Sequence, residues 1–210
     1  MVPNSTSRSQ AKERRRTALF REAARIIADR GFHQTRLADV GAAVGISGPG
    51  VYRYFSSKDD MLAQLLIDIS SRLVARGREV MAEYGADSDP QVVLTALVAA
   101  QTHIAATEPD LIRVQEREIR NLVDEDLSRV KSLQMTYLHM WVEVLQRCRP
   151  DLDYERARLR VQLAAGLINS SRHVYHWAGG ELIREQGTPM AVAAMLADAE
   201  SVPGNSGSQQ

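Results

Sequence analysis

The chain has 210 residues, of which 44% are hydrophobic and 25% charged, a composition typical of a globular protein with a packed core. No apolar run approaches the roughly 18–20 residues of a membrane helix, and the polar N-terminus lacks the apolar stretch of a signal peptide. The single cysteine, Cys148, cannot form an internal disulfide or a cysteine-rich zinc site. We therefore expect a cytoplasmic protein with no membrane partner, no metal and no cofactor.

Charge is distributed unevenly along the chain, although the net charge is zero. Residues 1–60 carry 11 lysines and arginines against 6 acidic residues, a net charge of +5. Residues 61–210 carry 15 against 20, a net charge of −5. A basic head on an acidic body indicates that the head binds a polyanion, although charge alone leaves a chance fluctuation open.

Hydrophobic spacing predicts a first helix over about residues 10–30, preceded by a disordered arm at residues 1–10. Its apolar face contains Leu19, Ala23, Ile26 and Ile27. Gly31 is expected to end this helix in the left-handed conformation.

Two very short helices follow, joined by Gly45-Ile46-Ser47. Thr35 is the predicted N-cap of the first and Ser47 of the second. Pro49 fits a first helical turn, whose N–H groups have no partner within the helix. Each helix is expected to have about two turns, the size of a DNA-binding helix-turn-helix, although a hairpin in a helical bundle fits the same pattern.

Six further helices are predicted behind this head. Ser57 to Asp60 resembles a capping box that opens a long fourth helix. The buried stripe of that helix is expected to contain Leu62, Leu65, Leu66, Ile69 and Leu73. Later helices are predicted to start at Asp89-Pro90, Glu108-Pro109, Asp124-Glu125-Asp126, Asp151 or Asp153, and Thr188-Pro189. Ala178-Gly179-Gly180 is expected to end the eighth helix, and residues 201–210 to be a disordered tail.

Several segments around the short helices resemble the N-terminal domain of the TetR/AcrR family of transcriptional regulators, over about residues 15–66. They are Gly31-Phe32-His33-Gln34-Thr35, Leu37-Ala38-Asp39-Val40, Val44-Gly45-Ile46-Ser47, Val51-Tyr52-Arg53-Tyr54-Phe55 and Ser57-Lys58-Asp59-Asp60-Met61-Leu62. The resemblance implies an all-α fold of nine helices. It assigns residues 11–56 to a three-helix DNA-binding domain and residues 57–200 to a ligand-binding and dimerisation domain. The sequence departs from the family pattern at Arg36, Gly41, Pro49 and Gly50.

By this resemblance, nine residues of the head are expected to contact double-stranded operator DNA. They are Thr35, Arg36, Ser47, Gly48, Gly50, Tyr52, Arg53, Tyr54 and Lys58. Thr35 is expected to offer its hydroxyl or N–H group, and Lys58 its ammonium group, to phosphate. For each tyrosine, core packing remains open as an alternative. Arg14-Arg15-Arg16 either reaches the DNA backbone or minor groove or is a solvated arm.

The resemblance also implies a homodimer, because a symmetric operator needs two recognition helices about one DNA turn apart. The last two long helices would pair with their copies, and an internal core is the alternative. The expected faces contain Leu159, Leu163, Gly166, Leu167, Ser170 and Val174, and in the last helix Met190, Ala193, Ala194 and Ala197.

Polar residues beside apolar faces of the middle helices are candidate effector contacts, although each also fits a satisfied core or surface group. They are His103, Gln115, Glu118, Gln134, Tyr137, Asn169 and His173. Segments similar to actinobacterial TetR-type regulators of acyl-CoA or fatty-acid metabolism imply a small apolar or acyl-CoA-like effector. These segments are Arg117 to Leu122, Trp141-Val142, Val144-Leu145 and Gly166 to Ser170, together with Tyr137.

The sequence contains no Gly-rich phosphate loop after a strand, no Gly-x-Ser-x-Gly elbow and no His-Glu-x-x-His helix, so we do not expect an enzyme. A helical protein-binding scaffold without DNA binding is the alternative. The preferred interpretation is a repressor that binds a palindromic operator as a homodimer and is released by a small molecule. The effector would bind the DNA-incompetent arrangement more tightly, and the fourth helix would be the lever.

Overall fold

The computed structural model describes residues 4–198, and this range contains nine α-helices and no β-strand. The helices are α1 (Asn4–Arg30), α2 (Leu37–Ala43), α3 (Gly48–Val51), α4 (Lys58–Tyr84), α5 (Pro90–Thr107), α6 (Pro109–Glu118), α7 (Asp124–Cys148), α8 (Tyr154–Ser170) and α9 (Tyr175–Leu196). Single 3-10 turns, Ile119–Asn121 and Ser171–His173, follow α6 and α8. The predicted all-α architecture of nine helices is confirmed.

Several helix boundaries follow from short-range hydrogen bonds that the sequence predicts. Gly31 has φ of +88° and its N–H donates to the carbonyl of Ile27 at 2.8 Å, which ends α1. The Ser57 hydroxyl accepts a bond from the backbone N–H of Asp60 at 3.0 Å and caps α4. At the start of α8, the predicted choice between two aspartates is resolved in favour of Asp153, which accepts from the N–H of Arg156 at 2.8 Å.

One continuous core joins the short helices to the body. The predicted stripes of α1 and α4 are buried, and Leu19, Ile27, Leu62 and Leu66 are fully enclosed. In the body, α5 packs against α9 and α4 packs against α7, while α6 reaches back to α1. At a rise of 1.5 Å per residue, α4 is about 40 Å long, so it extends from the head into the body.

Three predictions about the head are wrong. The helix α1 already begins at Asn4, so residues 4–10 do not form the disordered arm that was expected; residues 1–3 lie outside the described range. The N-cap of α2 is Arg36, without a side-chain bond, and not Thr35. The helix α3 has only 4 residues, because Tyr52 to Tyr54 continue as a turn.

The boundary between the last two helices also differs from the prediction. The helix α8 ends at Ser170, and α9 runs from Tyr175 to Leu196 with an interruption at Gly179 (φ +68°), so Pro189 lies inside a helix and does not start one. A proline inside a helix costs about 3 kcal/mol. The helix α9 packs against α5 and buries Ile183, Val192 and Met195. Each buried side chain stabilises the fold by roughly 1.5–3 kcal/mol, which offsets the cost of the proline. The predicted tail at residues 201–210 lies outside the described residues.

Candidate nucleic-acid interface and effector cavity

The helices α2 and α3 approach each other closely because Gly41 carries no side chain. A Cβ atom on Gly41 would lie 2.2 Å from Cγ2 of Val51 and 2.9 Å from the carbonyl oxygen of Ile46. The connecting turn uses Gly45 at φ +70°, a conformation that residues with a Cβ atom rarely adopt. The departure from the family pattern at Gly41 is therefore explained by helix packing.

Four of the nine predicted DNA contacts are exposed on the head. Tyr52 is 61% exposed, and Arg36, Ser47 and Arg53 are exposed as well. Gly48 is half-buried at the first position of α3, and a Cβ atom there would have ordinary contact, 3.9 Å, with Cβ of Ala38. Guanidinium, hydroxyl and phenol groups are donors that phosphates and base edges accept, so these side chains are available for duplex recognition.

Two predicted contacts, one buried and one half-buried, instead pack against other groups of the head. Thr35 is 2% exposed, its hydroxyl donates to the carbonyl of Gly31 at 2.9 Å, and its N–H donates to Phe32 at 3.1 Å. Both donors that were expected to reach phosphate are therefore already used. A Cβ atom on Gly50 would lie 2.8 Å from Cγ2 of Ile46, so this half-buried glycine provides space within the motif.

Tyr54 and Lys58 also have partners within the protein. Tyr54 is half-buried against the core, with its ring centroid 6.4 Å from that of Phe55. The Lys58 ammonium group donates to the carbonyls of Phe32 and His33 at 3.1 and 3.2 Å and lies 4.5 Å from the centroid of the Phe32 ring. Two of its three donors are thus occupied by the turn after α1, and the expected phosphate contact stays a prediction for the third.

The arginine run of α1, Arg14-Arg15-Arg16, contains both exposed and partnered side chains. Arg14 and Arg15 are exposed. Arg16 is half-buried, with Nη2 3.5 Å from a carboxylate oxygen of Asp68 and its guanidinium 5.2 Å from the centroid of the Phe20 ring. Burial raises the pKa of Asp68, although the charges of Arg72 and Arg16 oppose the rise. Within this run, Arg14 and Arg15 remain free to face a polyanion.

A cavity of about 340 Å³ lies between α4, α5, α6, α7 and α8. Its wall combines an apolar part with neutral polar side chains and one carboxylate, that of Glu116. The lining residues are Ser70, Leu73, Gln101, Gln115, Glu116, Ile119, Gln134, Tyr137, Leu138, Trp141, Gln162, Ala165, Gly166 and Asn169. The volume is at the lower end of the range of small-molecule sites, roughly 300–1,000 Å³.

Four of the candidate effector contacts line this cavity: Gln115, Gln134, Tyr137 and Asn169. The other three do not. His103 and His173 are exposed, because they lie on the outer sides of α5 and of the 3-10 turn after α8. Glu118 is 6% exposed, but its carboxylate accepts from Arg117 and from Asn121, each at 2.7 Å, and is a satisfied core group.

The structure adds four polar lining residues that the sequence interpretation missed, among them Ser70 on α4. Gln101 interrupts the apolar face of α5 formed by Leu94, Leu97 and Val98, which is a signal that the sequence carries. Glu116 forms an ion pair with Arg172, and Gln162 lies on α8 one turn before Gly166. No lysine or arginine lines the cavity, so its wall suits a neutral group.

Apolar side chains of α8 and α9 remain exposed on one part of the body. Leu159 and Leu163 are 59% and 66% exposed, and Trp177, Leu182 and Met190 are also large exposed hydrophobic residues. Trp177, Leu182 and Met190 line a groove of about 350 Å³, whose wall also includes Leu167 and Val174. Exposed apolar clusters mark interaction surfaces, and four of the ten residues predicted for the dimer line this groove: Leu167, Ser170, Val174 and Met190.

Within residues 4–198, no helix combines the length and the hydrophobicity that crossing a bilayer requires. Over the same part of the chain, no three His, Cys, Asp or Glu side chains lie together as a potential metal site.

Comparison with known proteins identifies two regions of similarity. The family model described as bacterial regulatory proteins, tetR family, matches residues 19–65, and the model described as tetracyclin repressor-like, C-terminal domain, matches residues 87–197, more than half of the chain. The HTH-type transcriptional repressor KstR2 of Mycolicibacterium smegmatis is 27% identical over 206 residues, which cover 93% of this chain and 94% of the relative.

Two solved structures share the fold. The regulator FadR from Bacillus subtilis in complex with stearoyl-CoA has a TM-score of 0.64 at 19% identity and covers 85% of this chain and 98% of its own. AibR in complex with isovaleryl coenzyme A and operator DNA has a TM-score of 0.64 at 20% identity, with 85% and 96% coverage. At these identities the structural likeness establishes the fold alone.

Proposed function

The chain belongs to the TetR family of bacterial regulatory proteins and is a ligand-responsive DNA-binding repressor, and from this premise we propose that it binds a palindromic operator as a homodimer and is released by an acyl-CoA. Residues 11–56 are the proposed DNA-binding domain, and residues 57–200 the proposed effector-binding and dimerisation domain. The observation that carries the proposal is the exposed set Arg36, Ser47, Tyr52 and Arg53 on a compact helix-turn-helix in the basic head. A scaffold without DNA binding is not favoured, because it gives this motif no role.

Operator binding can be tested with variants of these exposed residues. Operator sequences are first selected from a random DNA pool, and affinity is then measured by fluorescence anisotropy. Tyr52→Ala and Arg53→Ala should each weaken binding by roughly 1–3 kcal/mol if they contact bases. Arg78→Ala, an exposed arginine on the part of α4 that lies in the body, is the matched control. Affinity should also fall steeply with salt, and unchanged affinity in both head variants would contradict the assignment.

The homodimer is supported by the exposed apolar part of α8 and α9. A dimer formed there would bury Leu159 and Leu163 and would hold two heads at fixed spacing, as a two-fold operator requires. Leu163→Glu should yield a monomer in analytical ultracentrifugation and abolish operator binding. Val92→Glu, a similarly exposed apolar position on α5, should remain a dimer. A Leu163→Glu protein that stays dimeric would exclude this face.

An acyl-CoA effector is supported by the cavity among α4 to α8 and by the acyl-CoA bound in two proteins that share the fold. Binding of an effector raises the melting temperature through mass action, and release requires tighter binding to the DNA-incompetent state. A thermal-shift screen of acyl-CoA thioesters, followed by operator release with the best of them, tests both steps. If no chain length stabilises the protein or releases DNA, the effector class is wrong.

The proposal includes no enzymatic activity and no resident cofactor, in keeping with relatives that are transcriptional regulators. Because the proposed target is chromosomal DNA, it also places the protein in the cytoplasm. Cell fractionation tests the location.

A further inference from the structure

The first half of α1 extends beyond the core of the head. The helix begins at Asn4, but Leu19 is the first buried residue among the side chains that the structure describes. Of residues 9–18, nine are exposed and Arg16 is half-buried. We call residues 4–18 the α1 extension; at 1.5 Å per residue it is about 22 Å long. Packing within the protein does not account for a helix of this length before Leu19.

The exposed cations of the α1 extension have no acidic partner. Lys12, Arg14 and Arg15 are exposed, and no carboxylate among the described residues lies within ion-pair distance of them. The only acidic residue of positions 9–18 is Glu13, and it pairs with Arg16 at 3.5 Å. The extension therefore presents three free positive charges to its surroundings.

The same stretch has almost no apolar surface. The only apolar residues of positions 9–18 are Ala11 and Ala18. A helix that docks on a protein core or lies in a membrane interface needs a continuous apolar face. The α1 extension suits neither of these partners, whereas a polyanion is bound through charge alone.

The base of the α1 extension is fixed beside the helix-turn-helix. The ring centroid of Phe20 lies 5.6 Å from that of Phe55, which directly follows the turn that bears the exposed Tyr52 and Arg53. The guanidinium of Arg16 lies 5.2 Å from the centroid of the Phe20 ring. The extension thus leaves the head next to the segment proposed to contact the operator. It also lies before residue 19, where the match to the family model of the head begins.

We propose that the α1 extension binds the phosphate backbone of the duplex DNA that flanks each operator half-site, through Lys12, Arg14 and Arg15. Its length of about 22 Å corresponds to roughly six phosphates of one strand at 3.4 Å each. Such contacts hold the protein on the duplex and carry no sequence information. This inference rests on the proposed operator binding and adds a second DNA-binding surface outside the helix-turn-helix.

The test removes the three cations together in the variant Lys12→Gln/Arg14→Gln/Arg15→Gln. Affinity for the selected operator, with flanks longer than the extension can span, is measured by fluorescence anisotropy over a range of salt concentrations. The plot of log affinity against log salt should become shallower by at least about 2, which is one lost phosphate contact in each protomer of the proposed dimer. The melting temperature should not change, because these three side chains are exposed.

Flank length separates a contact outside the half-site from general attraction to DNA. Shortening the flanks by about six base pairs on each side should weaken binding of the wild type several-fold and should have little effect on the triple variant. The variant Arg78→Gln/Arg129→Gln/Lys131→Gln removes the same charge from exposed positions of α4 and α7 in the body. This control should keep both the salt dependence and the flank dependence of the wild type.

The outcomes separate this inference from the proposed operator binding. A triple variant of the extension that binds like the wild type at every flank length and salt concentration would overturn the inference and leave the helix-turn-helix contacts intact. A loss of affinity that does not depend on flank length, or an equal loss in the body control, would also overturn it. Tyr52→Ala and Arg53→Ala, measured on the operator without flanks, test the proposed operator contacts separately; if neither weakens binding, those contacts are wrong.

Discussion

Nη2 of Arg117, in α6, donates a hydrogen bond of 2.5 Å to the carbonyl oxygen of Ile27, in the last turn of α1. Gly31 donates to the same carbonyl where α1 ends. Directly before Arg117 in the chain, Gln115 and Glu116 line the cavity. The structure thus provides a connection from the cavity to the head through α6, in addition to the route through α4 that the sequence suggested.

Replacing Arg117 by lysine should weaken the coupling between effector and operator. Lysine retains a positive charge for Glu118, but it lacks the forked donors that reach Glu118 and Ile27 together. The ratio of operator affinities without and with effector should change by roughly 0.5–2 kcal/mol. Fluorescence anisotropy with the most stabilising acyl-CoA measures this ratio. Arg113→Lys, an exposed arginine one turn earlier on α6, is the control, and an unchanged ratio in Arg117→Lys would rule out this route.

Gly41→Ala should destabilise the head by roughly 1–3 kcal/mol, because the new Cβ atom would overlap Val51 and the carbonyl of Ile46. Chemical denaturation measures the loss of unfolding free energy. Because Val51→Ala removes one of the two overlaps but also truncates a buried side chain, the double variant should lose less unfolding free energy than the sum of the two single variants. Gly48→Ala is the control, since its Cβ atom would only touch Ala38 at 3.9 Å. A Gly41→Ala protein as stable as the wild type would show that α2 and α3 lie further apart.

Ser47 precedes the short helix α3 and Ser57 precedes the long helix α4. Removal of the two hydroxyls should change the stability of the protein by different amounts. Ser57 caps α4 through the Asp60 N–H, so Ser57→Ala should cost about 1 kcal/mol of unfolding free energy. Ser47 is the N-cap residue of α3 but makes no side-chain bond, so Ser47→Ala should leave stability unchanged. Thermal denaturation of both variants provides the comparison. Equal losses would mean that the Ser57 bond contributes nothing of its own.

Asp60 should give a small pH-dependent contribution to stability. Burial opposes ionisation, but hydrogen bonds from Gln64 and from the N–H and hydroxyl of Ser56 outweigh it and lower the pKa of Asp60. Because the folded protein holds this carboxyl below its unfolded pKa of about 3.9, the contribution is present at neutral pH and is lost as pH falls through the folded pKa.

The test compares Asp60→Asn with the wild type in urea denaturation at neutral and acid pH. The variant should be less stable at neutral pH by roughly a few tenths of a kcal/mol, since the group is partly solvated. This difference should shrink on acidification. Asp59→Asn, at the exposed neighbouring position, is the control. A difference that grows as pH falls would reverse the assigned direction.

Helix number and most helix starts could be predicted from the sequence because they depend on partners only a few residues away. Gly31, Ser57 and Asp89 terminate or cap helices through bonds within four residues, and the apolar stripes of α1 and α4 are set by helical periodicity. The family relationship could be predicted for the same reason, since the pattern around the short helices is local.

Local signals failed where a group has more than one available partner, either nearby or far along the chain. The hydroxyl of Thr35 satisfies the end of α1 and so does not cap α2. The ammonium group of Lys58 donates to carbonyls 25 and 26 residues earlier in the chain, partners that no local pattern includes. Pro189 stays within α9 because that helix packs against α5, which no local rule includes.

The sequence alone determined that this protein is a nine-helix member of a DNA-binding family with a basic head. Which polar residues share a cavity was decided only by the tertiary structure. Gln101 and His103 are two positions apart on α5, which is about 200° around a helix, so one faces the cavity and the other solvent. Helical periodicity shows that the two side chains lie on different sides of α5. Only the packing of α4 to α8 decides which of these sides is enclosed.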